Sequence, residues 1–217
     1  MKVDMHIHTV YSRDSELELL ELLRYARKLG IGVGITDHNT IKGAAHGVKL
    51  GKALGVSVLP GIEISTEEGH VIGYNLDVEI PSGLPAAETV EKIRDAGGFV
   101  VLPHPYRLVS GLGDAVLQLN CDAIEVQNSR NSRRANRKAL EIARKRKKGF
   151  SAGSDAHCLA EVGTSFVLGN AETLEGLLEE VAKGRVRVGG VSRTPWSAMW
   201  QYGKMVAGYI KRGCRRL

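Results

Sequence analysis

Apolar and polar positions follow one another along this chain in two rhythms. Short runs rich in β-branched and aliphatic residues predict strands at Lys2–His6, Gly32–Thr36, Val56–Ile64, His70–Asn75, Phe99–Pro103, Ala123–Gln127, Gly149–Gly153 and Thr164–Leu168. Between most of them the apolar spacing lengthens to three and four. Ser15–Leu29 puts Leu19, Leu22, Leu23 and Ala26 on one helical face, and Gly30 ends it. Thr40–Leu54, Leu84–Ala96, Ser132–Lys147 and Ala171–Lys183 read as further helices, with Asn170 as the cap of the last. Short strands alternating with longer helices predict an α/β fold, a parallel sheet joined by helical crossovers.

About seven such units fit in 217 residues, which predicts a closed or nearly closed barrel smaller than the eight-unit form of about 250 residues. An open, doubly wound sheet is the alternative architecture. With no internal repeat and no long linker, residues 1–195 read as a single domain. Residues 196–217 follow as a separate segment. Across Pro195–Ile210, Trp196, Met199, Trp200, Gly203, Val206 and Ile210 share one helical face, and the basic end Lys211–Arg216 follows. The expectation is a helix docked on the barrel.

Composition narrows the function classes. No run of about 18 apolar residues is present, which excludes a membrane-spanning helix. The polar N-terminus does not read as a signal peptide. Three widely spaced cysteines, Cys121, Cys158 and Cys214, argue against a disulfide framework and a Cys-x-x-Cys zinc site. A reduced, cytoplasmic protein is expected. The net charge of +6 is concentrated: Arg130–Lys148 carries ten basic residues and one acid, and Lys211–Leu217 four basic residues and none, so the remainder is acidic, 16 against 23. A basic run is compatible with a phosphate-rich partner, and equally with a solvated helix face.

The histidines carry the chemical signal. Six of seven, His6, His8, His38, His70, His104 and His157, fall at or near strands or in the turns after them, and only His46 lies within a helix. Asp37, Glu63 and Asp155 sit at the same level, with Asp14 close after the first strand. In a parallel barrel the C-terminal strand ends converge on one rim, where the site is built, so this set reads as a metal cluster. His6-x-His8 puts two imidazoles on one strand face. Glu63 lies between Ile62 and Ile64, where a charge is costly unless paired or metal-bound, and is therefore a candidate bridging ligand. Pro103 and Pro105 fix the backbone on both sides of His104. Asp155 and His157 offer two more ligands at spacing two.

In order, His-x-His, Asp-His, Gly-Ile-Glu-Ile-Ser, Pro-His-Pro and Ser-Asp-Ala-His resemble the polymerase and histidinol phosphatase (PHP) family from Asp4 to about Thr164. The resemblance implies a distorted (β/α)7 TIM-like barrel with two or three divalent ions (Mn²⁺, Zn²⁺ or Fe²⁺), hydrolysing a phosphate ester by metal-activated hydroxide. It implies a first metal on His6, His8, Glu63 and Asp155, and a second on Glu63 and His104, with His70 as an additional ligand or substrate contact. A third would rest on Asp14, His38 and His157. The sequence departs from the closest family pattern in two places: Arg13 stands at the usual aspartate position with Asp14 after it, and His70 is open to binding metal, contacting substrate or pairing with Glu67 or Glu68.

Within that scheme Asp37 orients a ligand or assists proton transfer, and His38 or His157 acts as general acid where a metal site is empty. Arg107, Asn128, Arg130, Arg133 and Arg134 follow strands at the same rim and are candidates for a substrate phosphate, since guanidinium forks match its oxygens. Arg144–Lys148 lies further along the same helix and is expected to be solvated. The preferred substrate is a nucleotide or short oligonucleotide. The alternatives are histidinol phosphate, or a non-catalytic RNA-binding role like that of the ribonuclease P barrel subunit.

Overall fold

The computed structural model describes residues 1–192. The expected C-terminal helix, its tryptophans and its basic end lie outside the described residues. Within them the strands are β1 (Lys2–Ile7), β2 (Gly32–Ile35), β3 (Val58–Ser65), β4 (His70–Tyr74), β5 (Phe99–Leu102), β6 (Ala123–Asn128), β7 (Gly149–Gly153), β8 (Ser165–Leu168) and β9 (Arg187–Gly190). The helices are α1 (Leu19–Leu29), α2 (Lys42–Leu54), α3 (Ala86–Asp95), α4 (Arg133–Lys145) and α5 (Leu174–Ala182). One sheet runs in the order β7-β6-β5-β4-β3-β2-β1-β8-β9.

The sheet curls until its first and last parallel strands meet. Ile7 bridges Ala156 in parallel, the His8 amide donates to the Ala156 carbonyl (2.9 Å), and the Asp155 amide donates to the His6 carbonyl (2.7 Å). The result is a nearly closed barrel of seven strands, β1 to β7. Six of those strands contribute to one apolar cluster, through Val3, Met5, Leu59, Ile72, Tyr74, Val101, Ala123 and Ala152. Residues from all around the ring meet there, so this cluster fills the barrel. The helices cover the outside: Leu22, Leu23 and Ala26 of α1 pack with Val33 and Ile35.

Closure depends on Gly153. A Cβ at that position would stand 2.3 Å from the His6 Cβ and 2.6 Å from the His6 nitrogen. Gly153→Val is therefore expected to cost about 1–3 kcal/mol through overpacking. At about 2–4 °C per kcal/mol for a chain of this size, a thermal melt will read that loss directly.

The sheet is not wholly parallel as expected. β4 runs antiparallel to both β3 and β5, because only Thr66–Gly69 joins β3 to β4 and four residues cannot make a crossover. β8 is antiparallel to β1, and β9, absent from the sequence reading, is antiparallel to β8. Gly30 ends α1 as expected, in the left-handed conformation (φ 65°) with its amide donating to Ala26 and Arg27. Thr173, rather than Asn170, caps α5, its hydroxyl accepting from the Gly176 amide. α1 begins four residues later than expected because the Ser15 hydroxyl is tied to the His8 carbonyl at the rim (2.9 Å).

The basic run also divides differently. Arg144, Lys145 and Lys147 are exposed. Arg146 instead turns inward and donates to the carbonyls of Val116 (2.5 Å) and Leu119 (2.7 Å). It pins the long β5–β6 connection, where a short 3-10 turn replaces a crossover helix.

Candidate metal centre

Two strand irregularities aim the central side chains. β1 carries one extra residue between Asp4 and Ile7 relative to β2, and β6 carries one between Glu125 and Gln127 relative to β7. Such bulges reset the side-chain alternation. Met5 thereby joins the barrel core while His6, its neighbour, enters the polar rim, and Ile7 packs outward among the residues that α1 covers. The two bulged strands then meet, His6 Nδ1 lying 3.0 Å from Glu125 Oε1.

Glu63, on β3, is the hub. Its Oε1 lies 2.8 Å from His104 Nε2 and 3.1 Å from His70 Nδ1. Its Oε2 lies 3.2 Å from His8 Nε2, 3.3 Å from His38 Nδ1 and 3.5 Å from His6 Nε2. Asp155 Oδ1 is 3.4 Å from His8 Nε2, 3.6 Å from His157 Nδ1 and 3.8 Å from Arg130 Nη1, while its Oδ2 takes the Arg107 guanidinium. Outside these, Asp14 Oδ2 lies 3.0 Å from His157 Nε2 and 3.6 Å from His38 Nε2. The sequence therefore brings together every histidine and carboxylate it singled out as a ligand.

The grouping departs from the expected one in detail. Three sets have ligand atoms mutually close enough for one ion: His6, His8 and Glu63; His38, Glu63 and His70; and Asp14, His38 and His157 joined by His8. His104 falls in a further set with His6 and Asp155. His38 thus stands between two clusters, and His104 touches Glu63 from the far side.

Electrostatics follow from burial and proximity. Burial alone would raise Glu63 and Asp155, but the charges of His6, His70 and His38 hold Glu63 well below the usual carboxylate range, and those of Arg107 and His6 do the same for Asp155. Burial would lower His8, but Asp155 and Glu63 push it up to about 9. His38 and His104 go the other way, to about 4, burial being the main cause in both.

The hydrogen-bond network fits a cation site. The Glu125 carboxylate holds the proton of His6 on Nδ1. Ser12 donates its hydroxyl proton to Asp37 Oδ1 (3.1 Å), so towards His8 Nδ1 (3.1 Å) it can only accept, which places the His8 proton on Nδ1 as well. In their neutral forms both Nε2 atoms then carry lone pairs, and they face each other at 3.1 Å beside Glu63. Lone pairs converging in this way need a proton or a cation among them. The buried Nδ1 atoms of His38, His70 and His104 make no aligned hydrogen bond, although those of His38 and His70 stand 3.3 and 3.1 Å from the Glu63 oxygens. Imidazole and carboxylate together suit Mn²⁺, Fe²⁺ or Zn²⁺.

Asp37 is buried and does not reach the cavity. Thr9 and Ser12 occupy it, with the Thr9 amide at 2.6 Å, and it acts on His8 and His38 through Ser12, whose oxygen also accepts the His38 amide (2.9 Å). Its geometry is that of a positioning residue, the first of the two roles expected of it.

Of the five candidate phosphate groups, Arg107 and Arg130 line the cavity, with Asp14, His38, Glu63, His70, Ser110, Asp155 and His157. Asn128 is fully buried, holding Arg107 Nη2 (2.9 Å) and Glu125 Oε2 (2.9 Å). Arg133 and Arg134 are exposed on the first turn of α4 and do not line it.

Sequence reasoning missed Glu125 and Asp4. Glu125 holds the His6 ring, the His104 amide (2.8 Å) and Asn128. A carboxylate between Ile124 and Val126 carries the same burial signal that drew attention to Glu63. Asp4 accepts the Ser154 and Gly163 amides (2.8 and 2.7 Å) and so fastens the loop that presents Asp155; burial pushes it up to about 6.

Among the described residues no helix is long and apolar enough to cross a membrane. A family model described as PHP-associated matches residues 133–186. An uncharacterized protein of Methanocaldococcus jannaschii is 45% identical over 141 residues, covering 59% of this chain and 82% of that protein. A 5'-3' exoribonuclease of Haemophilus influenzae is 32% identical over 99 residues, 43% of this chain and 36% of that enzyme. A crystallised two-domain protein of Bacteroides vulgatus, containing a predicted PHP-like metal-dependent phosphoesterase, superposes with a TM-score of 0.73 at 18% identity. That match covers 88% of this chain, which spans 65% of the other's length. With the motif order gathered at one barrel rim, the PHP-associated match and the PHP-like fold place the chain in the PHP family.

Proposed function

We propose that this protein is a metal-dependent phosphoric ester hydrolase acting on a nucleotide or short oligonucleotide. One observation carries the reading: a cavity of about 270 Å³ is lined by imidazoles and carboxylates together with two guanidinium groups, Arg107 and Arg130. The first set suits divalent cations and the second suits phosphate oxygens. His6, His8, Glu63 and Asp155 would hold one ion, Glu63 with His70 and His104 a second, and Asp14, His38 and His157 a third. Ions held there act as Lewis acids on a phosphoryl oxygen and supply a nucleophile near neutral pH.

The chain's own groups do the rest. Arg107 is fixed by Asn128, Asn131 (3.1 Å) and Asp155, so it meets a non-bridging oxygen without first losing side-chain freedom. Arg130 faces the same cavity beside His157 (2.7 Å to Nδ1). His157 is the cavity group that would give a proton to the leaving oxygen where it is not holding an ion, whereas His38, brought down to about 4 by burial, has no proton to give near neutral pH. The nucleotide preference rests on these arginines and on the local likeness to an exoribonuclease.

The test is phosphate release by Mn²⁺-loaded protein from a nucleoside 5′-monophosphate, a 3′,5′-bisphosphate, a short RNA and histidinol phosphate. Turnover confined to the first three supports the reading, and a preference for histidinol phosphate replaces it. RNA binding without turnover of any ester would favour a binding role.

Metal loading will also move protons. His8 in the metal-free protein keeps its proton up to about pH 9, and a cation taking Nε2 displaces it. Proton release on loading at pH 7.5, and an apparent affinity that rises with pH towards 9 and then levels, are the expected outcomes. Calorimetric titration in two buffers of different ionisation enthalpy checks both. The sign for stability is opposite: His8 is raised above 6.5, so its contribution to the metal-free fold is complete at low pH and is lost as pH rises through about 9.

A further inference from the structure

The mouth of the cavity carries an apolar feature that the fold does not require. Leu108 and Val109 are 98% and 92% exposed, the most exposed large hydrophobic side chains among the described residues. They stand between Arg107 and Ser110, both of which line the cavity.

The loop that presents them is a built structure. The Arg107 amide donates to the His104 carbonyl (2.9 Å), the Gly113 amide to Pro105 (2.8 Å), and the His70 amide to Ser110 (3.2 Å). Gly111 turns so closely against the loop's other arm that a Cβ there would meet the Arg107 and Pro105 carbonyl oxygens at 2.4 and 2.6 Å. Both ends of the tip are thus fastened to residues of the candidate site, and Arg107 itself is clamped by Asp155, Asn128 and Asn131. The loop backbone is held beside the cavity, and both apolar side chains stay almost fully exposed.

Cavity size supplies the complementary argument. The ions take part of the volume of about 270 Å³, which leaves room for a phosphoryl group. The base of a nucleotide bound there by its phosphate then lies towards the mouth. A flat, partly apolar ring emerging there finds a ready surface.

We propose that Leu108 and Val109 form an apolar lip that receives the nucleobase of a substrate whose phosphate sits between Arg107 and Arg130. This rests on the phosphoesterase reading above and adds to it the group that selects the substrate. The lip acts on binding, not on the chemical step, since neither side chain reaches the reacting atoms.

The test is calorimetric binding to Mn²⁺-loaded protein, wild type and L108S/V109S, of adenosine 5′-monophosphate, glycerol 3-phosphate and inorganic phosphate. Both positions are exposed, so the double variant is expected to fold normally. Covering a modest apolar area predicts that the wild type prefers the nucleotide to glycerol 3-phosphate by about tenfold. The variant loses that preference and binds inorganic phosphate within about twofold of wild type. In turnover the same variant raises KM for the nucleotide and leaves kcat nearly unchanged.

A nucleotide preference that survives in the variant, or is absent from the wild type, would overturn the lip. So would equal weakening of all three ligands, which would make the tip a support for the pocket. Unchanged binding with a fall in oligomeric state on sedimentation would reassign the surface to a contact between copies of this chain. Phosphate binding with no turnover of any ester removes the hydrolase reading alone, whereas no phosphate binding at all removes both.

Discussion

Asp155→Asn is expected to lower phosphate release by about 10²–10³-fold and to reduce the metal content of the purified protein. Asp155 is fully buried, and its two oxygens face His8, His157, Arg130 and Arg107 at once. Asparagine keeps the shape but removes the charge and turns one oxygen into a donor. The Arg107 guanidinium then loses the carboxylate it is paired with, His6 loses one of three carboxylates that draw positive charge into the site, and His8 one of two. Breaking a buried ion pair from one side costs about 3–5 kcal/mol, and each 1.4 kcal/mol is tenfold. Elemental analysis together with phosphate-release kinetics measures the effect. Full metal content with undiminished turnover would remove Asp155 from the proposed scheme.

Glu125→Ala carries the second large effect, at a residue that faces no substrate. The carboxylate accepts from the His6 ring, the His104 amide and the Asn128 amide group, all buried. Alanine leaves three donors without an acceptor, at about 1–3 kcal/mol each where the structure cannot relax. It also frees the His6 ring to carry its proton on Nε2, the atom turned towards His8 and Glu63. Loss of such an orienting partner typically lowers metal affinity by 10–100-fold. Metal titration should therefore weaken by that factor, the melting temperature should fall, and ¹⁵N spectra of the metal-free protein should show the His6 proton leaving Nδ1. Glu125→Gln retains one acceptor oxygen and should fall between the two. A variant with lower stability but unchanged metal affinity and unchanged His6 tautomer would reduce Glu125 to a structural role.

His104 and Asp155 show how the backbone contributes. Both adopt positive φ, 28° and 57°, a region that non-glycine residues visit rarely and at a cost of about 1–3 kcal/mol. Each is held there by the site itself: the His104 amide by Glu125, the Asp155 amide by the His6 carbonyl across the barrel seam. The flanking prolines made a rigid His104 legible in the sequence, but its left-handed turn depends on Glu125, which arrives from another strand.

Local signals were sufficient for much of this protein. Three- and four-residue apolar spacing located all five described α-helices, Gly30 marked the end of α1, and the strand ends carried the imidazoles and carboxylates because side chains at a barrel's rim have nowhere else to converge. Those are properties of neighbouring residues, and the sequence holds them. What it did not hold are relations between distant strands. The single extra residues in β1 and β6 aim His6 and Glu125 at each other only because the ring closes. Glu125 and Asp4 act on partners 119 and 150 residues away, and Asp37 and Asn128 look like site groups until the packing buries them among Thr9, Ser12 and Glu125. The sequence by itself determined which imidazoles and carboxylates are candidates for one site, through residue type and strand position. Only the tertiary structure decided which of those groups face the cavity and which stand behind them, because that depends on bulges, register and closure, and no local spacing encodes a contact across the barrel.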